Sequence, residues 1–110
     1  MSKGIPHLLP EDVAEMLAAK KKPLILDVRS PEEFGADHIR GAKNLPIQEL
    51  RARAPKELKA YRDKPIVCVC EHGERSSISA GVLAWMGFKQ VANLYGGMSE
   101  WRVKGLPVTK

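Results

Sequence analysis

The sequence is short of everything that would anchor a chain in a membrane or staple it together. No uncharged apolar run in its 110 residues approaches the ~18–20 residues of a membrane-crossing helix, so a spanning helix is excluded. Its two cysteines are too few for a disulfide framework. No repeat, low-complexity segment or linker interrupts it, and one domain over residues 1–110 is expected, large enough to bury a core without staples. The stretch Met1 to Leu9 is too short in apolar residues, and lacks the small-residue pattern, for a secretory leader; with so few cysteines, the expected address is the cytosol. A concentrated basic patch is also missing. Eighteen Lys and Arg against thirteen Asp and Glu leave a net charge of +5, which favours acidic partners in general. The basic residues are scattered, however, and their one run, Lys20 to Lys22, falls where a helix should end and complement its dipole. Neither nucleic acid nor a membrane is expected as the main partner.

What is present is the composition of an ordinary globular protein, 44% hydrophobic and 28% charged. Apolar strand-like runs alternate with helical patterns, which argues for an α/β fold with a mainly parallel sheet. A helix is expected over Pro10 to Lys20, with Pro10 at a first helical position, Glu11 and Asp12 in the first turn, and Val13, Met16 and Leu17 on its apolar face. Leu24 to Val28 reads as a strand buried on both faces. Ser30-Pro31-Glu32-Glu33 is a capping box that opens a short helix. Gly41 to Pro46 holds a short strand, and Ile47 to Leu50 and Pro55 to Tyr61 short helical pieces. Ile66 to Cys70 is a second buried strand. The best helix is Ser76 to Met86, with Ile78, Val82, Trp85 and Met86 as its apolar face and Gly87 closing it. Val91 to Leu94 is another strand, and Gly96-Gly97 turns into a last helix around Met98 to Val103. Trp85 and Trp101 are expected in the core.

The chemistry concentrates in Cys70-Glu71-His72-Gly73-Glu74-Arg75-Ser76, between the second buried strand and the best helix. Open α/β sheets bind ligands beyond the carboxyl ends of their strands. A helix N-terminus at that point offers unpaired N–H groups and a positive dipole end, the setting in which a thiolate is stabilised. Gly73 lets the loop curl its N–H groups inward into an anion nest, and Arg75 adds a permanent charge. This describes an activated cysteine in an anion cradle. Cys68, inside the apolar run, reads as an inert core thiol.

The same segment resembles the active-site loop of the rhodanese family, the thiosulfate sulfurtransferases. Leu26-Asp27-Val28-Arg29-Ser30-Pro31-Glu32-Glu33-Phe34 resembles an earlier signature of that family. His38-Ile39, Gly41-Ala42 and Asn44-Leu45-Pro46 resemble the next one. Leu94-Tyr95-Gly96-Gly97-Met98 with Trp101, then Gly105 to Val108, resemble its C-terminal end. The ordered match runs from about Leu9 to Val108. It implies a rhodanese-like α/β domain, with a five-stranded mainly parallel sheet flanked by helices on both faces. It implies Cys70 as the nucleophile that takes sulfane sulfur as a persulfide, held by the N–H groups of Glu71 to Ser76, with Arg75 lining the cradle or positioning an anionic donor. The sulfur would pass to cyanide, a thiol or a protein cysteine, with no metal or organic cofactor. A persulfide carrier or regulatory module with little free turnover is the alternative use of such a fold. Related phosphatases and arsenate reductases place Arg six positions after the cysteine; here Arg75 is five after Cys70, a smaller loop that suits a sulfur atom.

Two features remain open at this level. Glu71 and Glu74 could offset Arg75 and repel dianionic thiosulfate, favouring a persulfide or polysulfide donor, or could point to solvent and be screened. Asp27 interrupts an apolar strand and needs a partner: it could brace the Cys70 loop or pair with Arg29 or Arg75, a supporting role rather than a catalytic one. Arg29 is expected in an ion pair rather than on a substrate anion. His38 should hydrogen-bond within its own turn, and His72 should sit on the loop's rim. Cys68, Cys70 and His72 lack the spacing of a zinc site, and Cys68 and Cys70 are too far apart along a strand for a disulfide. Gly96-Gly97 lacks the Lys and Ser/Thr of a phosphate loop and is explained by close backbone packing.

Overall fold

The computed structural model describes residues 4–110. The start of the Met1–Leu9 stretch, and of the expected 1–110 domain, lies outside those residues. Five strands form one parallel sheet: β1 (His7–Leu8), β2 (Leu24–Asp27), β3 (Lys43–Asn44), β4 (Pro65–Val69) and β5 (Gln90–Leu94). Their spatial order is β1-β5-β4-β2-β3. Five helices connect or follow them: α1 (Pro10–Ala18), α2 (Pro31–Ala36), α3 (Leu50–Glu57), α4 (Glu74–Trp85) and α5 (Gly97–Val103). Single 3-10 turns, Ile47–Glu49 and Lys59–Tyr61, flank α3.

Strand alternation divides the core into two layers. Leu26, Val28, Ile66, Cys68, Cys70 and Val91 face one side of the sheet, where they pack with Leu50, Ala54 and Leu58 from α3 and its C-terminal end and with Ala80 and Leu83 of α4. Ile25, Val67, Val69 and Leu94 face the other, against Val13 of α1 and Met98 and Trp101 of α5. Because both faces are covered, the strands carry apolar residues at consecutive positions, as parallel strands must. Chain connections leave β2 and β4 in opposite directions, so the ends of these two neighbours form the switch point at which such sheets bind ligands.

Local signals act as read. The Ser30 hydroxyl accepts from Glu33 N and the Glu33 carboxylate accepts from Ser30 N, closing the capping box of α2. Helix α1 stops at Ala18, so Lys20 to Lys22 lie exposed just past its end rather than in its last turn. The expected face of α4 holds in part: Val82 and Met86 pack partly buried against the core, but Ile78 and Trp85 do not. Ile78 and Trp85 are 62% and 81% exposed, and the buried residues are Ser76, Ser79, Ala80 and Leu83. Small residues let this helix lie close against β4 and β5. The Ser79 hydroxyl donates to Arg75 O, which satisfies its buried oxygen. Trp85 is therefore not a core residue, whereas Trp101 is, with its indole N–H donating to Pro107 O. Strand β1, unread in the sequence, adds an edge to β5: Asn93 N donates to Pro6 O, and Tyr95 N to Leu8 O.

Candidate active site

Cys70 is the first residue beyond β4, and the strand's alternation turns its side chain toward the α4 face. It is 1% exposed. Its sulfur accepts from Gly73 N at 3.0 Å and lies 3.2 Å from the Ser76 hydroxyl. Gly73 is the N-cap of α4 with φ +104, a left-handed conformation that glycine adopts without strain. Glu74, Arg75 and Ser76 are the first turn of α4, whose N–H groups have no partner within the helix. Five residues after Cys70 thus return the chain around its sulfur, with one backbone N–H already on it and a helix N-terminus beside it.

The loop is clamped from outside by α5. Met98 N donates to Cys70 O and Ser99 N to Glu71 O, at 2.8 and 2.9 Å. With these two carbonyls held by α5, the loop is fixed in the form that puts the Gly73 N–H on the sulfur. The clamp needs Gly97: its φ is +61, and a Cβ there would stand 2.3 Å from Cys70 O and 2.6 Å from Glu71 O. Close packing of Gly96-Gly97 is thus what positions the loop.

Asp27 and Arg29, from the end of β2, are both 1% exposed and pair with each other, Arg29 Nη2 donating to Asp27 Oδ2 at 2.8 Å and Nε to Oδ1 at 3.0 Å. Arg29 also donates to Asp37 O and, at 3.4 Å, to Glu71 Oε1. Arg102 of α5 completes the cluster by bonding both Asp37 and Glu71. Its hydrogen bonds, with Arg29 as a further positive charge, hold the Glu71 carboxyl below the usual carboxylate range. Glu71 therefore neither points to free solvent nor leaves its charge uncompensated near the sulfur; it ties the loop to the Arg29 and Arg102 guanidinium groups.

Arg75 is committed in the same way. Its guanidinium makes a two-pronged pair with Glu33 of α2, at 2.8 and 2.9 Å. That pair holds the Glu33 carboxyl at about 2, against an ordinary 4.5. His72 and Glu74 are exposed. Together with His7, Gly73, Ser77, Asn93, Tyr95, Gly96, Ser99 and Glu100 they line an open cleft of about 540 Å³ beside the loop. Of the two loop carboxylates, only Glu74 faces this cleft, where Glu100 joins it.

Cys68 is fully buried, and its thiol is pushed up to about 12 by burial and by the neighbouring Cys70. It stays protonated and inert. His38 donates from Nδ1 to Phe34 O at 2.7 Å within its turn. Among the described residues, no group of three or more His, Cys, Asp or Glu could hold a metal.

The sequence reading passed over Asn93 and His7. The Ser76 hydroxyl donates to Asn93 Oδ1, and the Asn93 amide contacts His7 Nδ1 at 3.0 Å. Asn93 carried a usable signal, because a polar residue inside the apolar run Val91 to Leu94 needs a partner as Asp27 does.

Comparison with known proteins agrees with this architecture. The model of the rhodanese-like domain matches residues 9–104. The chain is 34% identical over 94 residues to the thiosulfate sulfurtransferase GlpE of Pseudomonas putida, covering 86% of this chain and 83% of that protein. It is 34% identical over 101 residues to the putative sulfur carrier protein YrkF of Bacillus subtilis, covering 92% of this chain and 53% of that one. A crystal structure of a rhodanese-related protein from Thermoplasma volcanium superposes with a TM-score of 0.81 at 31% identity, covering 94% of this chain and 97% of the other. The chain belongs to the rhodanese-like domain family.

Proposed function

We propose that this protein is a single-domain sulfurtransferase of the cytosol that carries sulfane sulfur on Cys70. The observation that carries the reading is the position of the Cys70 sulfur, at the N-terminus of α4, under the Gly73 N–H and with no second reactive thiol beside it. In the first step the Cys70 thiolate attacks the outer sulfur of a donor R–S–S⁻ or of thiosulfate. A new S–S bond forms and the old one breaks, so the donor leaves as thiolate or sulfite and Cys70 holds a persulfide anion. The Gly73 N–H, the N–H groups of the first turn of α4 and the helix dipole stabilise that terminal sulfur, in the manner of an oxyanion hole. In the second step a thiolate or cyanide attacks the terminal sulfur, and the Cys70 thiolate returns. No oxidant, metal or organic cofactor enters the balance.

The residues divide by task. Cys70 is the nucleophile; Glu71, His72, Gly73, Glu74, Arg75 and Ser76 form the cradle's backbone. Glu71 and Arg75 hold the loop through their ion pairs, and Asp27 and Arg29 brace it from β2. Donors and acceptors approach past Glu74 and Glu100, in a cleft that no Lys or Arg lines among the described residues. That charge favours a monoanionic persulfide, including one on glutathione or a protein, over dianionic thiosulfate.

A second reading is a persulfide carrier with little free turnover. The near-complete burial of the Cys70 sulfur and the likeness to a putative sulfur carrier favour it. Steady-state turnover with small donors and cyanide separates the two. An enzyme turns over many times and is abolished by Cys70→Ser. A carrier loads once per chain and releases its sulfur only to a partner protein. Turnover retained in folded Cys70→Ser contradicts both.

A further inference from the structure

The Cys70 sulfur stands at one end of a hydrogen-bonded chain that leaves the loop and ends at the sheet's edge. The chain runs from Cys70 Sγ to Ser76 Oγ (3.2 Å), to the Asn93 amide (2.5 Å at Oδ1), to His7 Nδ1 (3.0 Å). Ser76 and Asn93 are buried, and His7 is exposed on β1 at the cleft. Backbone pairing holds the last link together, with His7 and Asn93 register partners in β1 and β5.

Counting protons along it is informative, because an amide nitrogen only donates, an amide oxygen only accepts, and a hydroxyl has one proton to give. Asn93 Nδ2 donates to His7 Nδ1, which therefore carries no proton. Ser76 spends its proton on Asn93 Oδ1. Toward the sulfur Ser76 is left with a lone pair, the arrangement that suits a Cys70 S–H donor. A thiolate or persulfide anion needs the reverse: Ser76 O–H donating to sulfur, Asn93 Nδ2 donating to Ser76 Oγ, and Asn93 Oδ1 accepting from a proton on His7 Nδ1. Half-turned rotation of the Asn93 amide converts one into the other. Both arrangements satisfy every group, whereas a mixture sets two acceptors or two donors face to face along the chain.

We infer that His7 is a positioning residue for the Cys70 sulfur: by holding or lacking a proton at Nδ1 it turns the Asn93 amide, and so decides whether the Ser76 hydroxyl donates to that sulfur. His7 reaches the sulfur only through Asn93 and Ser76. The inference rests on Cys70 being the nucleophile. It adds to that reading a device by which the cleft reports its protonation to the sulfur. Among the described residues, the other titratable groups facing His7 across the cleft are His72 from the loop, Glu74 from α4, Tyr95 from the end of β5 and Glu100 from α5. His72 is the other histidine among them, so the test must separate the two.

The test follows alkylation of Cys70 by iodoacetamide, mapped by peptide mass, from about pH 5 to 8. The proteins are wild type, His7→Gln, His7→Phe, His72→Gln and the double variant His7→Phe/His72→Gln. Wild type is expected to react about fivefold faster than His7→Phe at the acid end, the worth of one hydrogen bond to the anion, with the gap narrowing toward the alkaline end. His7→Gln, whose amide donates or accepts but does not titrate, should exceed His7→Phe by a ratio independent of pH. The gap between His72→Gln and the double variant should match that between wild type and His7→Phe. Thiolate absorbance, taken against Cys70→Ser, gives the same comparison without a reagent having to reach a buried sulfur. Profiles of His7→Phe and wild type that superimpose overturn the inference, as does a gap that vanishes once His72 is replaced. A uniform loss at every pH also overturns it, since a merely structural role for His7 would do that. Persulfide loading is scored separately, so failure of the relay and failure of the sulfurtransferase reading give different results.

Discussion

Gly97→Ala tests the claim that α5 clamps the loop that holds Cys70. Two costs follow from the structure. At φ +61 an alanine is strained by about 1–2 kcal/mol. Its Cβ would also meet the carbonyl oxygens of Cys70 and Glu71 at 2.3 and 2.6 Å. These are backbone atoms, so relief requires the loop and helix to separate, weakening the bonds from Met98 N and Ser99 N. Overpacking of this kind costs about 1–3 kcal/mol, so the variant should lose about 2–5 kcal/mol in all. Gly41→Ala is the matched control: its φ is +84, but nothing lies within 4 Å of the added Cβ, and it should show the conformational cost alone. Urea unfolding of both variants, with the rate of persulfide loading under native conditions, reads the difference. Gly97→Ala should be at least ~1 kcal/mol less stable than Gly41→Ala and should load sulfur more slowly; Gly41→Ala should keep the wild-type loading rate. Equal stability losses and equal loading rates would refute the clamp.

Other perturbations test neighbouring parts of the account. Asp27→Ala leaves Arg29 charged and buried, and should cost about 3–5 kcal/mol by chemical denaturation; a loss under ~1 kcal/mol contradicts the buried pair. Glu33 has a depressed folded-state value, so its stabilising contribution is present above about 4.5 and is lost as pH falls toward about 2. Glu33→Gln should flatten the acid limb of stability in that window, and an unchanged limb argues that the Arg75 pair is fully screened. Glu74→Gln should speed loading from thiosulfate severalfold at low salt and less at ~0.15 M, measured by stopped-assay kinetics; no change at any salt means that Glu74 does not face the donor.

The parts of the fold legible in the sequence are those that short-range physics decides. The α2 capping box is written in Ser30 to Glu33, and the two-faced burial of β2 and β4 in their unbroken apolar runs. Cys70 could be singled out because a strand, a glycine and a helix start follow one another within a few residues. On α4, apolar size alone does not identify the buried face, because Val82 and Met86 reach the core and Ile78 and Trp85 do not. Close approach to β4 and β5 requires Ser76, Ser79 and Ala80 there, and Ile78 and Trp85 turn outward. Strand β1 is two residues long, too short to show a period. The partners of Glu71 and Arg75 lie 31 and 42 residues away, so their charges could be counted from the sequence but not paired. The same distance in sequence hid His7 from Asn93, 86 residues apart, although the polar break at Asn93 was visible.

The central claim is that Cys70 takes up sulfane sulfur. Intact mass after incubation with thiosulfate, and separately with glutathione persulfide, tests it most directly, with Cys70→Ser as the control. A gain of one sulfur atom is expected on the wild type alone, faster from glutathione persulfide. No gain from either donor, or an equal gain on Cys70→Ser, would contradict it.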